Sequence, residues 1–198
     1  MTMGIVLTLF LAAVFIVLPV MIYNRLVRAR NEYRNALAQI QVQLKRRHDL
    51  VPNLVEAAAA ALKHERQTLE AVMTARNQAA AVLQSSMGSG ETAALAQSEN
   101  ALTSALRGLN VAVEAYPELK GNETIQALTE ELSSTENRVA FARQAYNDSV
   151  MSYNNTRETF PASLLADFFG HKKNAPLLHF DDYAAIRHAP KVHLDLNG

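Results

Sequence analysis

The sequence predicts an all-α protein in which an N-terminal transmembrane helix continues into an elongated antiparallel, coiled-coil-like bundle of about four helices, followed by an irregular C-terminal tail. The first 24 residues carry no charge, and long segments with apolar residues three and four apart follow them. Prolines and glycines fall mostly between these segments. We therefore expect an anchor over residues 1–24, a bundle over 25–160 and a docking tail over 161–198.

The stretch from Gly4 to Tyr23 has the length and composition of a membrane-spanning helix. Its twenty residues, at about 1.5 Å each, span the ~30 Å hydrocarbon core of a bilayer. A cleavable signal peptide would instead require a positively charged start and a shorter apolar core. The chain also contains no cysteine that could carry a lipid. We expect an uncleaved anchor that crosses the membrane once.

Basic residues follow the anchor immediately. Residues 25–47 contain seven cations and one anion, whereas residues 48–198 contain 12 cations and 18 anions. Because positively charged flanks stay in the cytoplasm, the N-terminus is expected outside and the rest of the chain inside. The residues expected at the membrane surface, in contact with the lipid bilayer, are Arg25, Arg28, Arg30 and Arg34. The alternative is that these charges only set the topology. No nucleic-acid partner is expected, because the remaining domain is acidic.

Proline and glycine positions divide the chain beyond the anchor into four helical segments. Pro52, Pro117 and Pro161 are expected to separate them, with a further loop at residues 85–90. The segments cover residues 20–50, 52–84, 91–116 and 122–160. The first continues the transmembrane helix, because its apolar residues keep spacings of four and three past the membrane exit. Short connections then favour an antiparallel arrangement.

The fourth segment has the most regular apolar pattern. Large residues recur every seven positions, at Ile125, Leu132, Val139, Tyr146, Tyr153 and Phe160. This spacing is typical of a helix that packs along one seam. The third segment repeats it with Leu95, Leu102 and Leu109. Such seams suit packing within one chain and also pairing with a second copy, so a homo-oligomer is an alternative expectation.

The sequence contains few residues in arrangements that carry out catalysis. His64-Glu65 begins like a zinc-peptidase helix, but the second histidine one turn later is missing. We interpret this pair as an exposed charged turn of the second helix. The tail histidines lack the spacing of a metal site, and Tyr146-Asn147 and Tyr153-Asn154 are interpreted as packing residues on the seam. We therefore expect no enzymatic activity, no cofactor and no metal.

The connection expected between the first two helices is a candidate partner-binding site. Its polar residues are Lys45, Arg46, Arg47, His48, Asp49 and Asn53. Polar side chains on a loop held by rigid helices could recognise an acidic partner. The alternative is structural: Asp49 would cap the second helix, and the cations would complement the dipole of the first. The sequence leaves both interpretations open.

The tail after Pro161 differs in composition from the helical segments. Apolar residues concentrate before Gly170 and again beyond it in a proline-containing stretch, and residues 192–196 alternate as an edge strand would. The candidate docking residues are Phe168, Phe169, Phe180, Val192 and Leu194. This tail is expected to pack either along its own bundle or on a neighbouring subunit or partner.

Several motifs resemble the LemA family of bacterial membrane proteins. They include the block from Val42 to Glu56, Tyr116-Pro117-Glu118-Leu119-Lys120, Thr135-Glu136-Asn137-Arg138, the Tyr-Asn pairs, Phe160-Pro161, Phe169-Gly170 and Ala189-Pro190-Lys191-Val192. The resemblance implies one membrane helix, a cytoplasmic helical bundle at the bacterial inner membrane and no known enzymatic activity. It also implies a membrane-protein partner such as a zinc metallopeptidase. His171 departs from the pattern, because an aromatic residue more often follows Phe-Gly in that family.

These observations favour a non-enzymatic, membrane-anchored helical scaffold or adaptor. Two alternatives remain. One is an accessory subunit of a membrane protease or hydrolase. The other is a homo-oligomer that assembles on the membrane through its tail.

Overall fold

The computed structural model describes residues 2–86 and 92–180. Over these residues the chain consists of helices and irregular connections, without a strand, so the predicted all-α class is confirmed. The helices are α1 (Thr2–Ala59), α2 (Arg66–Ser86), α3 (Thr92–Ala115), α4 (Pro117–Lys120), α5 (Glu123–Glu158) and α6 (Ala162–Leu165). Part of the predicted loop at residues 85–90, and the tail candidates Val192 and Leu194, lie outside the described residues.

The prediction that Pro52 ends the first helix is wrong. Helix α1 has 58 residues and continues through both Pro19 and Pro52. A proline inside a helix costs about 3 kcal/mol, but burying one large aliphatic side chain stabilises by roughly 1.5–3 kcal/mol. Val51 and Leu54, on either side of Pro52, are both buried, so packing offsets the cost and the helix continues.

The connection between α1 and α2 lies at residues 60–65, later than predicted. Leu62 closes the end of α1 with a 2.9 Å bond from its N–H to the carbonyl of Ala58, and its side chain is fully buried. His64 and Glu65 belong to this connection, so their interpretation as a turn of the second helix is also wrong. Residues 52–59, which were predicted to begin the second helix, end the first instead.

The contacts divide the chain into two units. The first contains Met1–Leu54 and Glu123–Leu178. In this unit α1 and α5 are antiparallel, because contacts pair increasing numbers on α1 with decreasing numbers on α5. Leu26 packs near Ala162 just beyond α5, Tyr33 contacts Tyr153 and Tyr146, and Arg46 pairs with Glu131.

The predicted seam of α5 forms the core of this first unit. Ile125, Leu132, Val139, Tyr146 and Tyr153 are buried at heptad spacing, as predicted. Phe160, the expected next member, is exposed. The reason is that α5 ends at Glu158, so Phe160 no longer follows the helical phase. On α1 the facing stripe is Leu26, Ala29, Ala36, Ile40 and Leu44.

In the described part of the chain, the second unit contains residues 55–86, 92–122 and 179–180. Here α2 and α3 pack against each other, and the five-residue separation between them makes them antiparallel neighbours. Their buried faces include Val72, Ala79 and Leu83 on α2, and Leu95, Leu102 and Leu109 on α3, as predicted for the third segment. Helix α4 begins with Pro117, where a missing backbone N–H costs nothing.

Candidate functional site

The N-terminal part of α1 is exposed along its whole circumference. Its large apolar residues from Met3 to Met21 are all exposed, whereas Ile22 and Leu26 are 8% and 0% exposed. Within the described ranges, α1 is the helix that is long and apolar enough to cross a membrane. Burial against protein therefore begins where the uncharged segment ends, which is the pattern of a helix leaving a bilayer and entering a folded domain.

The structure separates the four arginines that follow the anchor into two pairs. Arg25 and Arg28 are exposed. Arg30 is half-buried, with its Nε atom buried and without a hydrogen-bond partner among the described residues. Together with Arg34, it lies close enough to Tyr153 and His171 to influence both. Arg34 is also exposed, so Arg25, Arg28 and Arg34 have the exposure expected of membrane-surface residues, whereas Arg30 does not.

Residues 171–178 of the tail, here called the strap, are held against α5 by two asparagine side chains. Asn154 accepts a 2.8 Å bond from the N–H of Ala175 and donates a 3.1 Å bond to its carbonyl. Asn147 does the same with Leu178, at 2.9 and 3.1 Å. Each asparagine side chain thus makes the two backbone hydrogen bonds that a neighbouring β-strand would otherwise make to one strap residue.

The spacing of the two asparagines matches the strap. Seven residues along a helix rise about 10.5 Å, and three residues of extended chain, from 175 to 178, cover about 10 Å. Two asparagines one heptad apart therefore fit two points, three residues apart, of an extended segment that runs antiparallel to α5. The register of the strap is fixed by this match.

Tyr146 and Arg157 complete the attachment of the strap. The hydroxyl of Tyr146 donates a 2.8 Å bond to the carbonyl of Pro176, whose missing N–H needs no partner. Arg157 donates to the carbonyls of His171 and Lys172 at 2.7 and 2.9 Å. It also bonds the side chains of Asn174 and Asp167, at 2.9 and 3.2 Å. One guanidinium thereby holds four points of the chain beyond α5.

A buried pair, Tyr153 of α5 and His171 of the strap, joins the two segments. The hydroxyl of Tyr153 lies 3.0 Å from Nδ1 of His171, and a neutral imidazole protonated at Nε2 accepts this bond. Burial raises the pKa of Tyr146 to about 12, with a smaller contribution from Tyr33. Burial and Tyr33 likewise raise the pKa of Tyr153, although Arg157, Arg30 and Arg34 oppose this. Both phenols therefore stay protonated and able to donate at neutral pH.

The strap is expected to bind less tightly as the pH falls below about 6.5, the ordinary pKa of histidine. Burial lowers the pKa of His171, and the charges of Arg30, Arg157 and Arg34 lower it further. The released strap then takes up a proton that the bound strap resists, so stability present above pH 6.5 is lost on acidification. Amide exchange at Ala175 and Leu178, corrected for intrinsic rates, measures this between pH 7.5 and 5.5. The His171→Asn variant should lose the pH dependence of amide exchange. The control His179→Asn, at an exposed position, should keep it. Equal dependence on pH in both variants would contradict the assignment of the effect to His171.

The residues predicted to form a partner-binding turn lie instead within α1. Arg47 and His48 are 5% and 2% exposed. Lys45 and Asp49 form a 2.8 Å pair one helical turn apart, and Arg46 bonds Glu131 of α5 at 2.6 Å. Because α1 continues to Ala59, Asp49 does not cap the second helix and the cations are not at the end of the first. The exposed members of the set are distributed along a helix rather than gathered on a loop.

The aromatic residues predicted for tail docking have different positions. Phe169 packs against a cluster formed by Ile22, Leu26, Ala162 and Ala166, and its ring lies 5.3 Å from that of Tyr23. Phe168 is 85% exposed, and Phe180 is buried. Gly170, with a φ of 82°, turns the chain toward the strap. Up to Leu178, therefore, the tail packs on its own α1 and α5.

The geometry of these residues favours attachment of the tail and docking of a partner. Over residues 2–86 and 92–180, no group of three or more His, Cys, Asp or Glu side chains is placed to hold a metal ion. Sequence reasoning missed Asn147, Asn154 and Arg157 as attachment residues. The heptad spacing of the two Tyr-Asn pairs was the available signal.

Comparison with family models gives a match to the LemA family over residues 36–194. This range includes α5, the strap and the part of α1 from Ala36 onward. Comparison with curated proteins finds no match.

Proposed function

The chain belongs to the LemA family, and we propose that it is a non-enzymatic, membrane-anchored helical scaffold or adaptor, with its helices beyond the anchor in the cytoplasm. The observation that carries this proposal is the continuity of α1. One helix contains both the exposed apolar segment and the stripe that packs against α5. A surface on this helix is thereby held at a fixed distance from the anchor, because no flexible linker intervenes.

An exposed stripe of α1 is the surface proposed for a partner. It consists of Val42, Lys45, Asp49 and Asn53, which are exposed and lie three and four residues apart on one helical face. Val42 is 64% exposed, and an exposed valine between polar side chains provides apolar area for a contact. The proposal keeps Lys45, Asp49 and Asn53 of the predicted partner set. It leaves out the buried Arg47 and His48, and also Arg46, which bonds Glu131 of α5.

The adaptor proposal predicts that a second protein is extracted with this one. Full-length protein is taken from its own membranes in mild detergent, and the complex mass is measured by light scattering with mass spectrometry of the co-eluting proteins. Val42→Asp should release the partner, because it replaces the apolar side chain at the contact by a charged carboxylate that is costly to bury. The matched control is Val111→Asp on α3, since Val111 is 68% exposed, and surface substitutions of this kind change stability by only about 0.5 kcal/mol.

The alternatives give different outcomes in this experiment. A co-eluting membrane protease or hydrolase would favour the accessory-subunit function. A large homo-oligomer without a second protein would favour self-assembly. If Val42→Asp and Val111→Asp retain the same partner equally, the stripe on α1 is not the binding surface.

The orientation of the anchor can be measured directly because the chain contains no cysteine. Thr2→Cys and Asn110→Cys each introduce one thiol, on the two sides of the proposed span. A membrane-impermeant maleimide applied to spheroplasts should label the first variant and label the second only after lysis. Labelling of Asn110→Cys in intact spheroplasts would contradict a cytoplasmic location of the domain.

A further inference from the structure

Two adjoining depressions lie where α1 leaves the uncharged segment and meets the C-terminal half of α5. They share Arg25 of α1 and Ser152 and Thr156 of α5. The larger has a volume of about 920 Å³ and the smaller about 400 Å³. Both are formed within the first unit, so their geometry depends only on the packing of α1 against α5.

The two depressions differ in polarity. The larger is walled by apolar side chains of α1 from Phe10 to Ile22, with polar side chains at one end. The smaller is lined mainly by polar side chains of α5, including Asp148 and Asn155, and by Thr159 just beyond the end of that helix. A phospholipid has the same order of apolar chains followed by a polar headgroup. The apolar wall belongs to the segment that crosses the membrane in the proposed function, so lipid chains are the medium around it.

The charged residues around these depressions are two cations and two anions. Arg25 and Arg28 provide the cations, and Glu32 and Asp148 provide the carboxylates. None of the four has a hydrogen bond or ion pair within the described ranges of the chain. A balanced set of unpaired charges suits a zwitterionic headgroup better than an anionic one, because an anionic headgroup would leave the carboxylates opposed.

The depth of the arginines agrees with a headgroup. Arg25 lies two residues beyond Tyr23, and Arg28 lies five beyond it. At about 1.5 Å per residue these positions are roughly 3 and 7.5 Å past the hydrocarbon boundary, within the polar layer of about 5–8 Å on each side of a bilayer.

We propose that this groove binds one zwitterionic phospholipid with a primary ammonium headgroup. Arg25 and Arg28 bind its phosphate, Asp148 accepts hydrogen bonds from its ammonium, and the face of α1 from Phe10 to Ile22 contacts its acyl chains. Ser152 and Asn155 are exposed beside Arg25 and donate to the remaining phosphate oxygens. The inference rests on the proposed membrane anchor and identifies a lipid that the anchored protein selects.

Native mass spectrometry of the full-length protein in mild detergent tests the proposal. Dioleoyl phosphatidylethanolamine, phosphatidylglycerol and phosphatidylcholine are added separately at equal concentrations. The ethanolamine lipid should be retained about tenfold more strongly than either of the others, because charge-assisted hydrogen bonds distinguish its ammonium from a hydroxyl or a trimethylammonium group. Arg25→Gln should lower its retention about tenfold. Asp148→Asn should abolish its advantage over phosphatidylcholine.

Exposed charges on α3 provide the matched controls. Arg107→Gln and Glu114→Gln make the same kind of chemical change at exposed residues that do not line the groove and should leave lipid retention unchanged. Equal retention of the three lipids, strongest retention of phosphatidylglycerol, or equal behaviour of Arg25→Gln and Arg107→Gln would overturn the site. A dimer that excludes lipid would overturn it too, in favour of a second copy in the groove. Membrane fractionation of each variant separates these results from a failure of the anchor, which none of the substitutions touches.

Discussion

Arg157→Ala is expected to destabilise the attachment of the strap by about 2–3 kcal/mol. The guanidinium bonds two backbone carbonyls and two side chains beyond α5. The His171 carbonyl has the shortest of these bonds, at 2.7 Å, and His171 is buried, so losing the donor leaves that carbonyl poorly solvated. Amide exchange at Ala175 and Leu178 should accelerate roughly 30- to 150-fold, because both amides are protected only while the strap is bound.

Two further variants test whether Arg157 acts through its planar geometry. Arg157→Lys keeps the charge but cannot reach four acceptors at once, so it should recover only part of the protection. Arg138→Ala removes an exposed arginine from the same helix and should leave exchange in the strap unchanged. Equal acceleration by Arg157→Ala and Arg138→Ala would show that the effect arises from helix α5 and not from the attachment.

The helices with a regular pattern of apolar residues were predictable, because the spacing that favours a helix locally also gives it a face to bury in the fold. The heptad line on α5 predicts the buried residues Ile125, Leu132 and Val139, and the uncharged segment predicts where α1 is exposed. In both places the arrangement of apolar side chains determines the outcome, through its seven-residue period on α5 and its unbroken length on α1. This is why α3 and α5 lie within two residues of their predicted bounds.

The end of α1 was not predictable from the positions of proline and glycine alone. Pro52 has the local signal of a helix boundary, but the burial of Val51 and Leu54 overrides it. The energies involved are similar, so the result depends on whether partner helices cover those side chains, which a local sequence pattern does not reveal. Because α1 continues past Pro52, Arg47 and His48 lie in the interior and not on a loop.

The strap illustrates a different limit of sequence reasoning. The two Tyr-Asn pairs have the spacing of packing residues, and their tyrosines are indeed buried. Their asparagines bind a segment that lies 21 and 31 residues further along the chain. The strap itself has no periodic pattern, because Asn147, Asn154 and Tyr146 bind its backbone groups. Sequence periodicity therefore indicates the α5 side of this contact but not the strap side.

Asn154→Leu is expected to weaken the strap by about 3 kcal/mol. Leucine has a similar size but removes both bonds to Ala175, one donated and one accepted. Ala175 is buried, so its N–H and carbonyl would lose their partners with little access to water. Exchange at Ala175 should therefore rise more than 50-fold. The control Asn137→Leu makes the same change at an exposed position of α5 and should leave this rate unaltered.

The response of Leu178 in the same experiment determines whether the strap binds as one unit. Its N–H is held by Asn147 and not by Asn154, so independent contacts would leave its exchange rate unchanged in Asn154→Leu. The matched rises of about 10 Å on α5 and on the strap instead predict joint release, since neither asparagine can hold its residue if the register is lost. Exchange at Leu178 should then accelerate together with Ala175, and adding Asn147→Leu should cost less than it does alone. Additive effects of the two substitutions would mean that each asparagine binds its own residue separately.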